Sequence, residues 1–240
     1  MPLNQYLAEQ KAKVTNSKRP AMIMTHVVCG YPSFDANWKA LEVMDSFGVD
    51  LVELQFPFSE PSADGPLFVK ANQEAIRNGV HVEDCFEFMA KVTAKFSFKV
   101  VMMGYYNTVF KTGHRDFLQR LKNAGAHGFI LPDLPVEEAS ELHGIAKELE
   151  LAPIILMTPT NSDARLAELA KSADGFIYTV ARKGVTGSDT DMNAEVSGFI
   201  ERCRAFTDLP LAVGFGVSKA EDVEFIGQHA DIAVIGTAAL

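Results

Sequence analysis

The chain has 240 residues, with 22 Lys+Arg against 31 Asp+Glu and a formal net charge of −9 with His neutral. Its 48% hydrophobic and 22% charged residues match a globular chain and exclude disordered, collagenous and coiled-coil classes. The acidic balance argues against a dedicated nucleic-acid binder, which needs clustered Lys and Arg to neutralise phosphates, and no stretch approaches the roughly 20 apolar residues of a membrane span.

In chain order, residues 1–13 predict a helix ahead of a first strand at 22–28. Further apolar runs, many rich in Val, Ile and Phe, predict strands at 51–56, 100–103, 128–131, 153–157, 176–180, 211–215 and 232–235. Amphipathic stretches between them predict helices at 35–47, 67–78, 115–123, 137–149, 164–171, 193–206 and 219–227. Ser33, Asn161-Ser162 and Ser218 stand where N-caps are expected. Strand–helix alternation repeated about eight times predicts an α/β fold: one (β/α)8 barrel domain over residues 1–240, with an extra N-terminal helix. An eighth outer helix is expected after the last strand, and the sequence reaches Leu240 before it. Cys29, Cys85 and Cys203 lack CxxC spacing and read as small core residues in a reducing compartment. The N-terminus lacks the charged-then-apolar pattern of a secretory signal, so a cytoplasmic location is expected.

In such a barrel the chemistry belongs at the C-terminal ends of the strands. Along the second strand, Leu51, Glu53 and Gln55 share one face and Val52, Leu54 and Phe56 the other. The all-apolar face must meet the helices, so Glu53 points into the barrel. Burial there raises its pKa and suits it to carry a proton; a structural carboxylate paired to a core residue is the alternative. Asp64 closes a stiff loop with three prolines, just before a helix, and fits either an N-cap or a functional carboxylate. Gly214-Phe215-Gly216 and Gly236-Thr237 follow the last two strands, the recurrent phosphate position of this barrel class, with Gly184-Val185-Thr186-Gly187 as a third possible wall. Ordinary turn glycines are the competing reading. The sequence has no HExxH, paired His or acidic metal cluster, so no metal is expected. Lys99 and Lys183 lie outside the inward, late-strand position of a Schiff-base lysine.

Taken in order, several segments resemble the tryptophan synthase alpha chain family. They are Gly30-Tyr31-Pro32-Ser33, Val52-Glu53-Leu54, Pro57-Phe58-Ser59-Glu60-Pro61, Ala63-Asp64-Gly65-Pro66 and Met103-Gly104-Tyr105-Tyr106-Asn107, then Leu131-Pro132-Asp133-Leu134-Pro135, Thr158-Pro159-Thr160, Gly175-Phe176-Ile177-Tyr178, Gly184-Val185-Thr186-Gly187 and Gly214-Phe215-Gly216. The resemblance implies a lyase that cleaves indole-3-glycerol phosphate to indole and glyceraldehyde 3-phosphate in tryptophan biosynthesis. It implies catalysis by Glu53 and Asp64, an indole end lined by Tyr178, and a sixth-loop Thr186 that contacts the aspartate on closure. Gly187, Gly216, Gly236 and Thr237 match phosphate-loop positions. It also implies a beta chain as partner in an alpha2beta2 complex, with pyridoxal phosphate in the beta chain and no cofactor in this one. A free-standing lyase and a non-catalytic activator of a beta chain are the alternatives. The chain departs from the family pattern at Gln55 (Gly expected), Glu60 (Asp), Thr108 (Pro), Thr237 (Ser) and Thr25-His26 (Pro and an aromatic), which brings His26 toward the indole pocket.

Overall fold

The computed structural model describes residues 1–17, 19–180, 194–214 and 216–240. Eight parallel strands close into a barrel in sequence order: β1 (Met22–Val28), β2 (Leu51–Gln55), β3 (Lys99–Met103), β4 (Gly128–Ile130), β5 (Ala152–Met157), β6 (Ile177–Val180), β7 (Leu211–Gly214) and β8 (Ile232–Ile235). Pairing of β1 with β8 shuts the ring, so among the described residues the barrel leaves no strand edge exposed. Alternation sorts the side chains into two layers. Met22, Met24, Leu51, Val101, Met103, Ile130 and Ile154 fill the barrel, while Val52, Leu54, Val100, Met102 and Phe129 face the helices.

The helices are α1 (Leu3–Thr15), α2 (Phe34–Ser46), α3 (Pro66–Arg77), α4 (Val82–Lys95), α5 (Tyr106–Thr112), α6 (His114–Asn123), α7 (Ser140–Glu148), α8 (Asp163–Ser172), α9 (Ala194–Arg204) and α10 (Ala220–His229). Helix α1 stoppers the N-terminal end of the barrel. Leu3, Tyr6 and Leu7 join the inner layer, and the Tyr6 hydroxyl donates to the Asp50 carbonyl at 2.9 Å.

Two helices go beyond the expected set. The sequence predicts one helix between β2 and β3, but there are two: α3 at the mouth and α4 on the outer wall. The buried residues of α4, Cys85, Phe86, Phe88, Met89 and Val92, do follow helical spacing. Aromatic and β-branched residues across 82–98 obscure it, because they equally suit a strand. The short α5 follows β3 directly. Ser33 and Ser162 cap α2 and α8 as expected, accepting from the amides of Ala36 and Arg165. Ser218 does not cap α10. Lys219 takes the N-cap position, and Asp222 from the first turn accepts from the Ser218 and Lys219 amides at 2.9 and 3.1 Å. A carboxylate reaching back satisfies two orphan donors at once, more than the serine hydroxyl offers. After β8 the chain forms a 3-10 turn, Thr237–Ala239. The three cysteines are free and fully buried. Among the described residues no helix is long and apolar enough to cross a membrane.

Candidate active site

Strand β2 brings Glu53 to the barrel interior, level with His26 of β1 on one side and Val101 of β3 on the other. Glu53 is 3% exposed. His26 Nδ1 lies 3.8 Å from Glu53 Oε1, and the imidazole stacks on Phe68 of α3 with ring centroids 4.3 Å apart. This is a contact of neutral groups. Burial pushes the His26 pKa down to about 3, against a weaker raising effect of Gln55, and burial followed by the charge of Asp64 pushes Glu53 up to about 8. At neutral pH Glu53 therefore holds a proton.

Asp64 enters from the loop between β2 and α3. The N-cap of α3 is Gly65, and the Asp64 carboxylate takes side-chain donors instead: Gln55 Nε2 at 2.6 Å and Asn72 Nδ2 at 3.2 Å, both on Oδ2. Burial raises its pKa to about 6, while hydrogen bonds from Gln55, Tyr105 and Asn72 pull it back. The same kind of side chain thus sits above neutrality at Glu53 and below it at Asp64. The difference is in donors: Asp64 has several, whereas Glu53 Oε2 is buried with no hydrogen-bond partner among the described residues.

His26, Glu53, Asp64 and Tyr178 line one cavity, walled by Ala63, Met103, Ile130, Pro132 and Leu156. Its surface is mostly apolar and carries two carboxyl groups, a lining that suits an apolar ligand with a polar group. Tyr178 on β6 is buried, and burial and the two carboxyl groups raise its pKa, so its ring and hydroxyl stay neutral. Gly214 packs on it: a Cβ at that position would stand 2.4 Å from the Tyr178 hydroxyl oxygen. The bare backbone there makes room for the tyrosine, a use of this glycine that the sequence does not suggest.

Gly214, Gly216, Gly236 and Thr237 lie at the ends of β7 and β8, with Gly216 at φ +98°. Thr186 and Gly187, with the rest of 181–193, and Phe215 lie outside the described residues. Among the described residues no three His, Cys, Asp or Glu side chains group as a metal site.

Sequence reading overlooks Gln55, Asn72 and Tyr105 as parts of the site, yet two of them leave a trace. Gln55 shares the inward face with Glu53 by alternation. Asn72 interrupts the apolar face of α3 formed by Phe68, Ala71 and Ala75. It bridges the mouth: its amide oxygen accepts from the Phe58 amide at 2.9 Å, and its nitrogen donates to the Phe68 carbonyl at 2.8 Å. The Tyr105 hydroxyl accepts from the Ala63 amide at 3.1 Å, holding the Asp64 loop onto the end of β3.

The family model for the tryptophan synthase alpha chain matches residues 11–240. The tryptophan synthase alpha chain of Desulfotalea psychrophila is 45% identical over 237 residues, covering 99% of this chain and 91% of that one. The structure of Mycobacterium tuberculosis tryptophan synthase superposes with a TM-score of 0.88 at 30% identity, covering 97% of this chain and 88% of that one. The tryptophan synthase a2b2 complex of Pyrococcus furiosus matches with a TM-score of 0.84 at 31% identity, covering 92% and 89%. A match across almost the whole of both chains, on a barrel whose mouth holds this carboxyl pair, leads to one conclusion: the chain belongs to the tryptophan synthase alpha chain family.

Proposed function

We propose that this chain is a carbon–carbon lyase that cleaves indole-3-glycerol phosphate to indole and glyceraldehyde 3-phosphate, with Glu53 and Asp64 as its catalytic pair. One observation carries the assignment of roles: two carboxyl groups line the same apolar-walled cavity, and their surroundings hold one protonated and one charged near neutral pH.

The substrate bond to be broken joins indole C3 to a carbon that bears a hydroxyl. No carbonyl is conjugated to it, so the ring must accept the electrons. Glu53 delivers its proton to C3, and the ring becomes a cation with positive charge at N1–H. Asp64, ionised, stabilises that charge. Glu53, now a carboxylate, takes the proton of the side-chain hydroxyl. The pair left on oxygen by the lost proton forms the C=O of the aldehyde, the C3–C3′ pair returns to the ring, and neutral indole is released. Glu53 ends the cycle protonated as it began. The apolar wall of Met103, Ile130 and Leu156 suits the indole ring and Tyr178 bounds its far end. Gly214, Gly216, Gly236 and Thr237 at the ends of β7 and β8 suit the phosphate, with Thr186 and Gly187 completing the closed site. Phosphate anchoring contributes orientation rather than bond change.

The barrel acts as one cytoplasmic domain over residues 1–240. It needs no cofactor of its own and works beside a beta chain that carries pyridoxal phosphate, as an alpha2beta2 assembly. The loops after β2, β3 and β4 form the docking side. They are already knit together: Phe58 stacks on Tyr105 at 5.1 Å, and the Tyr106 amide donates to the Asp133 carboxylate at 2.9 Å. Indole release from indole-3-glycerol phosphate, assayed with and without a beta chain, tests the whole reading. No release in either arm removes it, and full turnover without a partner favours a free-standing lyase.

A further inference from the structure

We propose, resting on that reading of the site, that Gln55 is a positioning residue for Asp64: from inside the barrel its side-chain amide grips the Asp64 carboxylate, fixes its direction and favours its charged form. Gln55 is fully buried, two residues along β2 from Glu53 and on the same inward face. Its Nε2 lies 2.6 Å from Asp64 Oδ2 and 3.3 Å from Asn72 Oδ1.

Gln55 Oε1 and His26 Nε2 are both buried with no well-formed hydrogen bond among the described residues, although the Gln55 side chain acts on His26 as a weak hydrogen-bond partner. A carbonyl satisfied this weakly does little to set the amide's orientation, so the stronger contact at the Asp64 end sets it. Turning the amide over would set its oxygen against the Asp64 oxygen, which is repulsive unless Asp64 is protonated. The observed orientation, donor toward Asp64, is the one that suits a charged carboxylate.

Hydrogen bonds from Gln55, Tyr105 and Asn72 favour the charge of Asp64, and no cation among the described residues adds to them. The titratable groups that face it among the described residues are Glu53 on β2, His26 on β1, Tyr105 after β3 with Asp133 behind it, and Tyr178 on β6. Two of these are carboxyl groups, and burial keeps His26 and both tyrosines neutral near pH 7. Neutral hydrogen-bond donors must then carry the charge, and the Gln55 bond is the shortest that Asp64 accepts from Gln55 and Asn72.

The test uses the full chain with Gln55→Met, which keeps the length and loses the donor, and Gln55→Glu, which donates only while protonated. Carboxyl carbon NMR follows the Asp64 titration, assigned with Asp64→Asn, and the pH profile of kcat/KM for indole release is measured alongside. In Gln55→Met, Asp64 should titrate about one pH unit higher than in the wild type, and the acid limb of the profile should move with it. In Gln55→Glu, activity should stay near wild type at the acid end and collapse as pH rises. Gln55→Glu also carries the test should the apolar variant fail to fold. An unmoved Asp64 titration with equal loss of rate at every pH overturns the proposal. A wild-type chain that releases no indole removes the functional reading instead, and the Asp64 titration still decides the role of Gln55.

Discussion

Glu53 and Asp64 share a cavity and differ in the donors that reach them, and this difference sets what each can do. Glu53→Gln cannot shuttle a proton, so indole release should fall by about 10²–10⁴ while the fold is retained. Asp64→Asn keeps size and loses charge; it should bind substrate and turn over poorly, and rates within a few-fold of wild type would return Asp64 to a structural role. With Asp64 ionising near 6 and Glu53 near 8, kcat/KM should follow a bell whose limbs fall near those values. Initial rates from pH 5 to pH 10 check it. The Glu53 shift also acts on stability. Its folded pKa lies above the unfolded value of 4.5, so its burial is tolerated below that pH and destabilises increasingly as pH rises through about 8. Glu53→Gln should therefore gain stability relative to wild type across that window in denaturant titrations, and a gap independent of pH would contradict a protonated Glu53.

Among the elements, α3 is the one whose place matters most. It lies across the mouth, with Phe68 and Ala71 against Val28 of β1, and so sets both the ring under His26 and the Asn72 amide beside Asp64. The end of β7 is equally constrained. Gly214→Ala would drive a methyl group into Tyr178, and we expect a loss of about 1–3 kcal/mol in chemical denaturation together with slower turnover. Unchanged stability would show that the ring can move aside. The ends of β7 and β8 should also take an anion. A crystal soaked with glycerol phosphate should hold the phosphate at Gly216, Gly236 and Thr237, and an anion bound only on another face would refute that part of the site.

At the scale of the whole molecule, α1 closes one end of the barrel, and the proposed chemistry and docking surface lie at the other. Stacking of Phe58 on Tyr105 and the Tyr106–Asp133 bond join the loops after β2, β3 and β4 into one surface, on which Glu60 is exposed. Contact there reaches Asp64 through the same loop. Glu60→Ala should keep the basal, partner-free rate and lose activation by a beta chain, as measured by indole release with the partner titrated in. Undiminished activation would place the coupling at another residue.

The eight strands were legible because each is a short apolar run between polar turns, and burial on two faces imposes that pattern on sequence. The inward direction of Glu53 was legible for a related reason: alternation along 51–56 leaves an all-apolar face that only the helix layer can take. Tertiary structure decided what depends on residues far apart in the chain. Helix α4 settled as a helix because its apolar stripe fits the outer wall, although its residue types serve a strand as well. Gly214 is bare because Tyr178, 36 residues earlier, occupies the space a Cβ would need. The N-cap reading of Asp64 gave way because Gln55 and Asn72, from a strand and a helix, converge on its carboxylate. Local pattern reports how much surface a segment buries and on which side; which polar groups meet inside the barrel is fixed only when the sheet closes, and the protonation states of Glu53 and Asp64 follow from those meetings.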